Sequence, residues 1–284
     1  MSRRLEPSAV SMLIHRVDAA ADGARPPDTV PTGFPTVDRR LGGGLRRGDL
    51  TVIGGDVGAG KSAFALAMAI RALEAGHEVL VCSGELSPDR QLERMLAIEG
   101  RVQVDDLRRG DLDDMARVSV GSVAMRFRQR PPRLLSLGTD PLGSIGDLVR
   151  SEGRGALVIV DALEALADGV GPRDEQLAAA VRALKALALE TEAALVVVAG
   201  LPRFSPERRS TRPTLDDFGA LGAVQQQADV VLSLDREEMY DPGYGVDGAT
   251  ELLILKNRSG ATGYVDLYFY KPWMRFEDML DPDR

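Results

Sequence analysis

The residues best suited to chemistry are Gly55-Asp56-Val57-Gly58-Ala59-Gly60-Lys61-Ser62. They fit the phosphate-binding pattern G-x-x-x-x-G-K-[ST] at every fixed position. Glycines let consecutive backbone N–H groups curl inward toward an anion. The helix that follows, from Ser62, adds its positive dipole end. Lys61 is placed to reach β/γ-phosphates and Ser62 to ligate Mg²⁺, and Ala63 closes the cradle in the first helical turn. The chemistry implied is the binding of a nucleoside triphosphate such as ATP with Mg²⁺.

Hydrolysis needs a metal-side carboxylate, a group that orients or deprotonates water, and positive charge at the γ-phosphate. Asp161 closes the apolar run Ala156-Leu157-Val158-Ile159-Val160 and is the metal-side candidate. Glu85 and Glu164 compete for water activation, and alone either would pass for an ordinary exposed acid. Lys256 and Arg258 are spaced i, i+2 at a strand end, far along the chain from the phosphate loop. They suit the nucleotide of an adjacent subunit, as an arginine finger does; the plainer reading is a charged hairpin tip. Arg203, Arg208, Arg209 and Arg212 crowd one loop and are the candidates for nucleic-acid phosphates, diluted by Glu207, Asp216 and Asp217.

These groups need a scaffold. Leu50–Gly54, Glu78–Cys82, Ala156–Asp161, Ala194–Ala199 and Val230–Leu234 read as strands. Ser62–Ala75, Arg90–Glu99 and Asp174–Glu190 read as helices between them, with Leu92, Met95 and Leu96 inward on the second. Fully apolar strands alternating with helices predict an α/β fold whose mainly parallel, twisted sheet is covered on both faces. Ligands then sit at the C-terminal strand ends, where the phosphate loop, Glu85 and Asp161 fall. Glu251–Leu255, the turn Asn257-Arg258-Ser259-Gly260 and Tyr264–Tyr270 predict a C-terminal antiparallel hairpin. Residues 101–133 read as solvated helix and loop faces, Leu134–Leu137 as a short strand and Ser144–Arg150 as a short helix.

Ahead of this unit, residues 7–20 predict an amphipathic helix with Val10, Leu13, Ile14 and Val17 on one stripe. A proline-rich tether follows, so the chain divides into residues 1–30, linker helix and tether, and 31–284, the globular domain. The stripe needs a surface, on its own domain or on a neighbouring subunit.

Composition narrows the function. The 284 residues carry a net charge of −8, which argues against a wholly basic nucleic-acid-binding surface. No apolar run approaches a membrane span and no secretory signal opens the chain, so a cytoplasmic protein is expected. The single Cys82 and the separated His15 and His77 offer neither disulfide nor zinc site.

Together the motifs resemble the RecA-like motor domain of DnaB-type replicative helicases. The resemblance runs from Pro31-Thr32-Gly33-Phe34 through Arg275-Phe276. Ser83-Gly84-Glu85-Leu86-Ser87 resembles the segment carrying that family's catalytic glutamate, which favours Glu85 over Glu164. Gly222–Asp229 resembles the motif linked to DNA contact, and Lys256-Asn257-Arg258-Ser259-Gly260 the trans-acting lysine and arginine finger. The resemblance implies a RecA-like P-loop core and a hexameric ring of identical subunits with ATP between them. It further implies a helicase or translocase acting on single-stranded DNA in replication or repair, and a helix at 7–20 that packs on the next subunit. The departures are Gly200, where the family has a γ-phosphate-sensing glutamine, Gly219 and Ala220 in place of an arginine and a glutamate, a shortened helix at 147–152, and no separate N-terminal domain. They favour an alternative reading, a nucleotide-gated regulatory or scaffold ATPase of the same fold that does not unwind DNA.

Overall fold

The computed structural model describes residues 7–23, 28–152, 155–167, 169–201, 208, 210–240 and 246–279. The first strand, β1 (Thr29–Val30), pairs with β2 (Leu45–Arg46) in a small sheet of two. The centre is a nine-stranded sheet. In chain order its strands are β3 (Leu50–Gly55), β4 (Val79–Ser83), β5 (Arg133–Ser136), β6 (Leu157–Asp161), β7 (Ala194–Val198), β8 (Val230–Asp235), β9 (Ala249–Asn257), β10 (Gly263–Tyr270) and β11 (Arg275–Asp278). Their spatial order is β11-β10-β9-β8-β3-β7-β6-β4-β5. From β8 to β5 all pairs are parallel, and β9, β10 and β11 join antiparallel. The expected C-terminal hairpin is therefore three strands.

Two helices precede the phosphate loop, α1 (Pro7–Ala21) and α2 (Pro35–Arg40). α1 forms as expected, but Val10, Leu13, Ile14 and Val17 remain 52–61% exposed. The stripe is thus not buried on its own domain. Among the described residues no helix is long and apolar enough to cross a membrane.

Alternation along each strand divides the core. On one face lie α3 (Lys61–Glu74), α4 (Pro88–Gly100), α5 (Val104–Arg109) and α6 (Asp114–Gln129), and Val79 and Val81 join Ile53 and Ile159 beneath α3, α4 and α6. On the other, Leu80 and Cys82 join Leu50 and Val158 under α7 (Pro141–Glu152) and α8 (Arg173–Thr191). Burial of both faces is what the fully apolar strands require. Burial also pushes the Cys82 thiol up to about 12, so it stays protonated.

Three expectations are corrected. Residues 101–133 are not only solvated faces: α5 buries no residue, but α6 buries Val123 and Phe127 in the core. In α4 Met95 is buried and Leu92 and Leu96 pack half-buried against the core as expected, but the inward face also includes Gln91 and Ile98, both buried. The helix before β6 is longer than residues 147–152: α7 runs from Pro141 to Glu152.

Candidate nucleotide site

The phosphate loop bridges β3 and α3, with Gly58 and Gly60 at φ 85° and 96°. The region favours glycine, and a Cβ on Gly60 would stand 2.8 Å from the Phe276 ring, so β11 packs directly beneath the loop. Lys61 Nζ donates to the carbonyls of Gly55 at 3.0 Å and Asp56 at 2.9 Å. Burial lowers the Lys61 pKa, opposed by Glu164, Asp161, Asp56 and Glu85. Four acids around one ammonium make a centre that needs further cations to accept a triphosphate.

Ser62 Oγ donates to Asp161 Oδ1 at 3.1 Å, joining the loop to the end of β6. Burial raises the Asp161 pKa, and the Ser62 hydrogen bond opposes it. One hydroxyl and one carboxylate form a donor set suited to Mg²⁺, which binds through few protein ligands plus phosphate oxygens. The loop's inward curl, Lys61 and this pair fit Mg–ATP.

The two glutamates separate. Glu85 is exposed beyond β4, on the same sheet rim as Ser62 and Asp161. Glu164 lies in a 3₁₀ turn, and its Oε1 accepts the Gly200 N–H at 2.7 Å. Glu164 is thus engaged with the backbone at Gly200, which has no side chain.

Lys256 and Arg258 lie on the opposite rim. Lys256 pairs with Val231 near the start of β8, whereas Gly55 pairs with Leu234 near its end. Lys256 Nζ donates to Gln225 O at 2.5 Å, and Arg258 Nη2 to Gln226 O at 3.2 Å. Both carbonyls belong to α9 (Ala223–Gln227), so the short helix holds both cations. Burial, then Arg258, lowers the Lys256 pKa, against the pull of Asp229.

Of the candidate DNA-contacting arginines, Arg203 and Arg209 lie outside the described residues. Arg208 binds Asp217 with two hydrogen bonds of 2.6 and 2.9 Å. Arg212 meets Glu251 at 2.7 Å and lies over the Tyr264 ring.

Sequence reasoning missed Arg236, which is 4% exposed, donates to Gly58 O at 3.1 Å and covers Phe269. It also missed Tyr240, whose hydroxyl reaches Asp56 Oδ2 at 3.2 Å. Neither belongs to a spaced motif; only their place just after β8, the strand beside β3, points to the loop.

These features define a P-loop nucleotide-binding protein with a RecA-like sheet. The sequence matches the model of the family described as DnaB-like helicase C terminal domain over residues 29–278. The chain belongs to that family. It is 29% identical over 279 residues to the replicative DNA helicase DnaB of Geobacillus stearothermophilus, covering 94% of this chain and 59% of the relative. The chain thus spans somewhat more than half the length of this relative. Among solved structures, a DnaB-like replicative helicase, determined to show its interactions with primase, superposes with a TM-score of 0.83 at 23% identity, covering 98% of this chain and 68% of that one. A KaiC-like protein of Pyrococcus horikoshii gives a TM-score of 0.63 at 15% identity, covering 89% of this chain and 99% of that one.

Proposed function

We propose that this chain is an ATP-hydrolysing motor that works between subunits of a homo-oligomeric, hexameric ring and translocates on single-stranded DNA in replication or repair, in the cytoplasm. The observation that carries it is the Ser62–Asp161 pair beside Lys61 and Glu85 on one rim, with Lys256 and Arg258 held on the other. Lys61 exchanges the carbonyls of Gly55 and Asp56 for phosphate oxygens. Ser62 and Asp161 would hold Mg²⁺, which would supply charge neutralisation at the phosphates. Glu85 orients and deprotonates the attacking water. Lys256 and Arg258 of a neighbouring subunit bring the cations that the acid-rich centre lacks. Arg203, Arg208, Arg209 and Arg212 supply DNA-phosphate contacts, Arg208 and Arg212 by leaving Asp217 and Glu251. The exposed stripe of α1 supports docking on the next subunit.

A second reading, a nucleotide-gated scaffold that does not unwind DNA, is favoured by Gly200, which offers no side chain to sense a γ-phosphate and whose N–H is taken by Glu164. The deciding measurement is steady-state ATPase at low salt, with and without single-stranded DNA, with Lys61→Ala as blank. A Lys61-dependent rate raised several-fold by DNA supports the motor. Negligible turnover in both conditions, with ATP still bound, supports the scaffold.

A further inference from the structure

Gln91, in the first turn of α4, is 1% exposed. Its Nε2 donates to Leu86 O at 3.0 Å and to Leu135 O at 3.3 Å. Leu86 follows Glu85 directly, so this amide grips the turn that presents the carboxylate. The rest of the turn is gripped as well. Ser83 Oγ accepts the N–H groups of Glu85 at 3.2 Å and Leu86 at 3.0 Å. The Gly84 N–H donates to Asp161 O at 2.8 Å. A Cβ on Gly84 would collide with that of Ala165. Glu85 is therefore an exposed side chain on a fixed backbone, and one anchor is a side chain from the next helix.

The other half of that amide is unexplained by packing. Gln91 Oε1 is buried and has no hydrogen-bond partner among the described residues. It borders a small cavity that Ser62, Ser83 and Asp161 also line. A buried acceptor without a donor is costly, because it has given up water and gained no partner. The cavity, about 10 Å³, is mainly apolar and just large enough for one water, whose polar neighbours would be Gln91, Ser62, Ser83 and Asp161 at its edge.

We propose that Gln91 is a positioning residue for Glu85. Its Nε2 fixes the turn through Leu86 O. Its Oε1 accepts from a water in the cavity shared with the Ser62–Asp161 pair, so that the water-activating carboxylate and the metal-side pair keep one geometry. The proposal rests on Glu85 as the group that activates water; Gln91 itself touches neither nucleotide nor nucleophile.

The test compares Gln91→Met, Gln91→Glu and Glu85→Gln in steady-state ATPase, with affinity for a fluorescent ATP analogue and thermal unfolding measured alongside. Gln91→Met keeps side-chain bulk and removes the donor and the amide acceptor. The expected result is nucleotide affinity within about twofold, unfolding close to wild type, and kcat lower by about tenfold to a hundredfold, the scale of a displaced reacting group. Gln91→Glu, neutral when buried, keeps one donor and one acceptor and recovers most of that rate. A Gln91→Met kcat within twofold of wild type overturns the proposal, as does a loss of affinity and rate together that Gln91→Glu does not reverse. If Glu85→Gln turns over at close to the wild-type rate, the Glu85 reading and this proposal fall together. If Glu85→Gln is inactive while Gln91→Met is not impaired, the proposal alone falls. Should Gln91→Met not fold, Gln91→Asn, too short to reach Leu86 O, takes its place with the same outcomes.

Discussion

Asp229 Oδ1 holds Arg258 Nε at 2.9 Å, so the arginine assigned to a neighbour's nucleotide is tied to a buried acid of its own chain. Asp229 Oδ2 meanwhile accepts from Lys185 Nζ at 2.6 Å and from the Leu50 N–H at 2.9 Å. One carboxylate thus joins α8, the start of β3 and the β9–β10 turn. Asp229→Ala leaves the Lys185 ammonium without its closest acid, and an expected loss of about 3 kcal/mol in urea denaturation checks this. Asp229→Asn, which still accepts, loses less.

Arg258→Ala and Lys61→Ala are each expected to abolish ATPase activity alone. If the finger acts in trans, mixing the two restores a rate. An Arg258-bearing subunit with a dead phosphate loop then serves a neighbour whose loop is intact. Titrating one variant into the other checks this, and a mixture that stays inactive at every ratio contradicts the trans assignment.

Glu85→Gln is expected to lower kcat by about 10²–10⁴-fold, the range for removing a general base. Glu164→Gln keeps an acceptor for the Gly200 N–H and is expected to hold kcat within about tenfold of wild type. Glu164→Ala loses that bond and about 1 kcal/mol of stability. Single-turnover kinetics with chemical denaturation separates the two roles.

Asp235, Glu251 and Asp266 stand opposite one another across β8, β9 and β10. Burial first, then Glu251 and Glu237, pushes the Asp235 pKa up to about 6, with Arg212 opposing. An acid with a raised folded pKa is hardest to ionise in the native state. Stability therefore falls as pH rises from the unfolded value near 4 to the folded value, and is constant above it. Asp235→Asn removes that cost. Its melting temperature is expected to exceed wild type by about 2–5 °C at pH 7.5 and to match it below pH 4, checked by thermal melts across that range.

The parts of the site legible in the sequence are those whose physics is local. The glycines, Lys61 and Ser62 are one loop, Asp161 ends one apolar strand, and Glu85 follows another. The C-terminal cations were legible as a pair for the same reason. What stayed hidden depends on distant partners. The bond of Glu164 to Gly200 and the grip of Gln91 on Leu86 and Leu135 arise only when β4, β5, β6 and β7 lie side by side. α6 spreads its apolar residues around the helix, with Met115, Val118 and Met125 exposed, so no single stripe announces that Val123 and Phe127 enter the core. β11 is four residues long and finds its role beneath Gly60 only through the fold.

The two rims of the sheet have a consequence for symmetry. The phosphate loop lies at the C-terminal end of β3, and Lys256 and Arg258 lie about 10–17 Å away along the strand direction. A two-fold dimer sets one face against its own copy, so it would complete sites only where that single face carried both the loop and the cations. Where the loop and the cations fall on different faces, head-to-tail contacts are what would bring them together, and such contacts either close into a cycle or run on as a helix. The subunit is a directional building block, and the rotation from one copy to the next decides between the two.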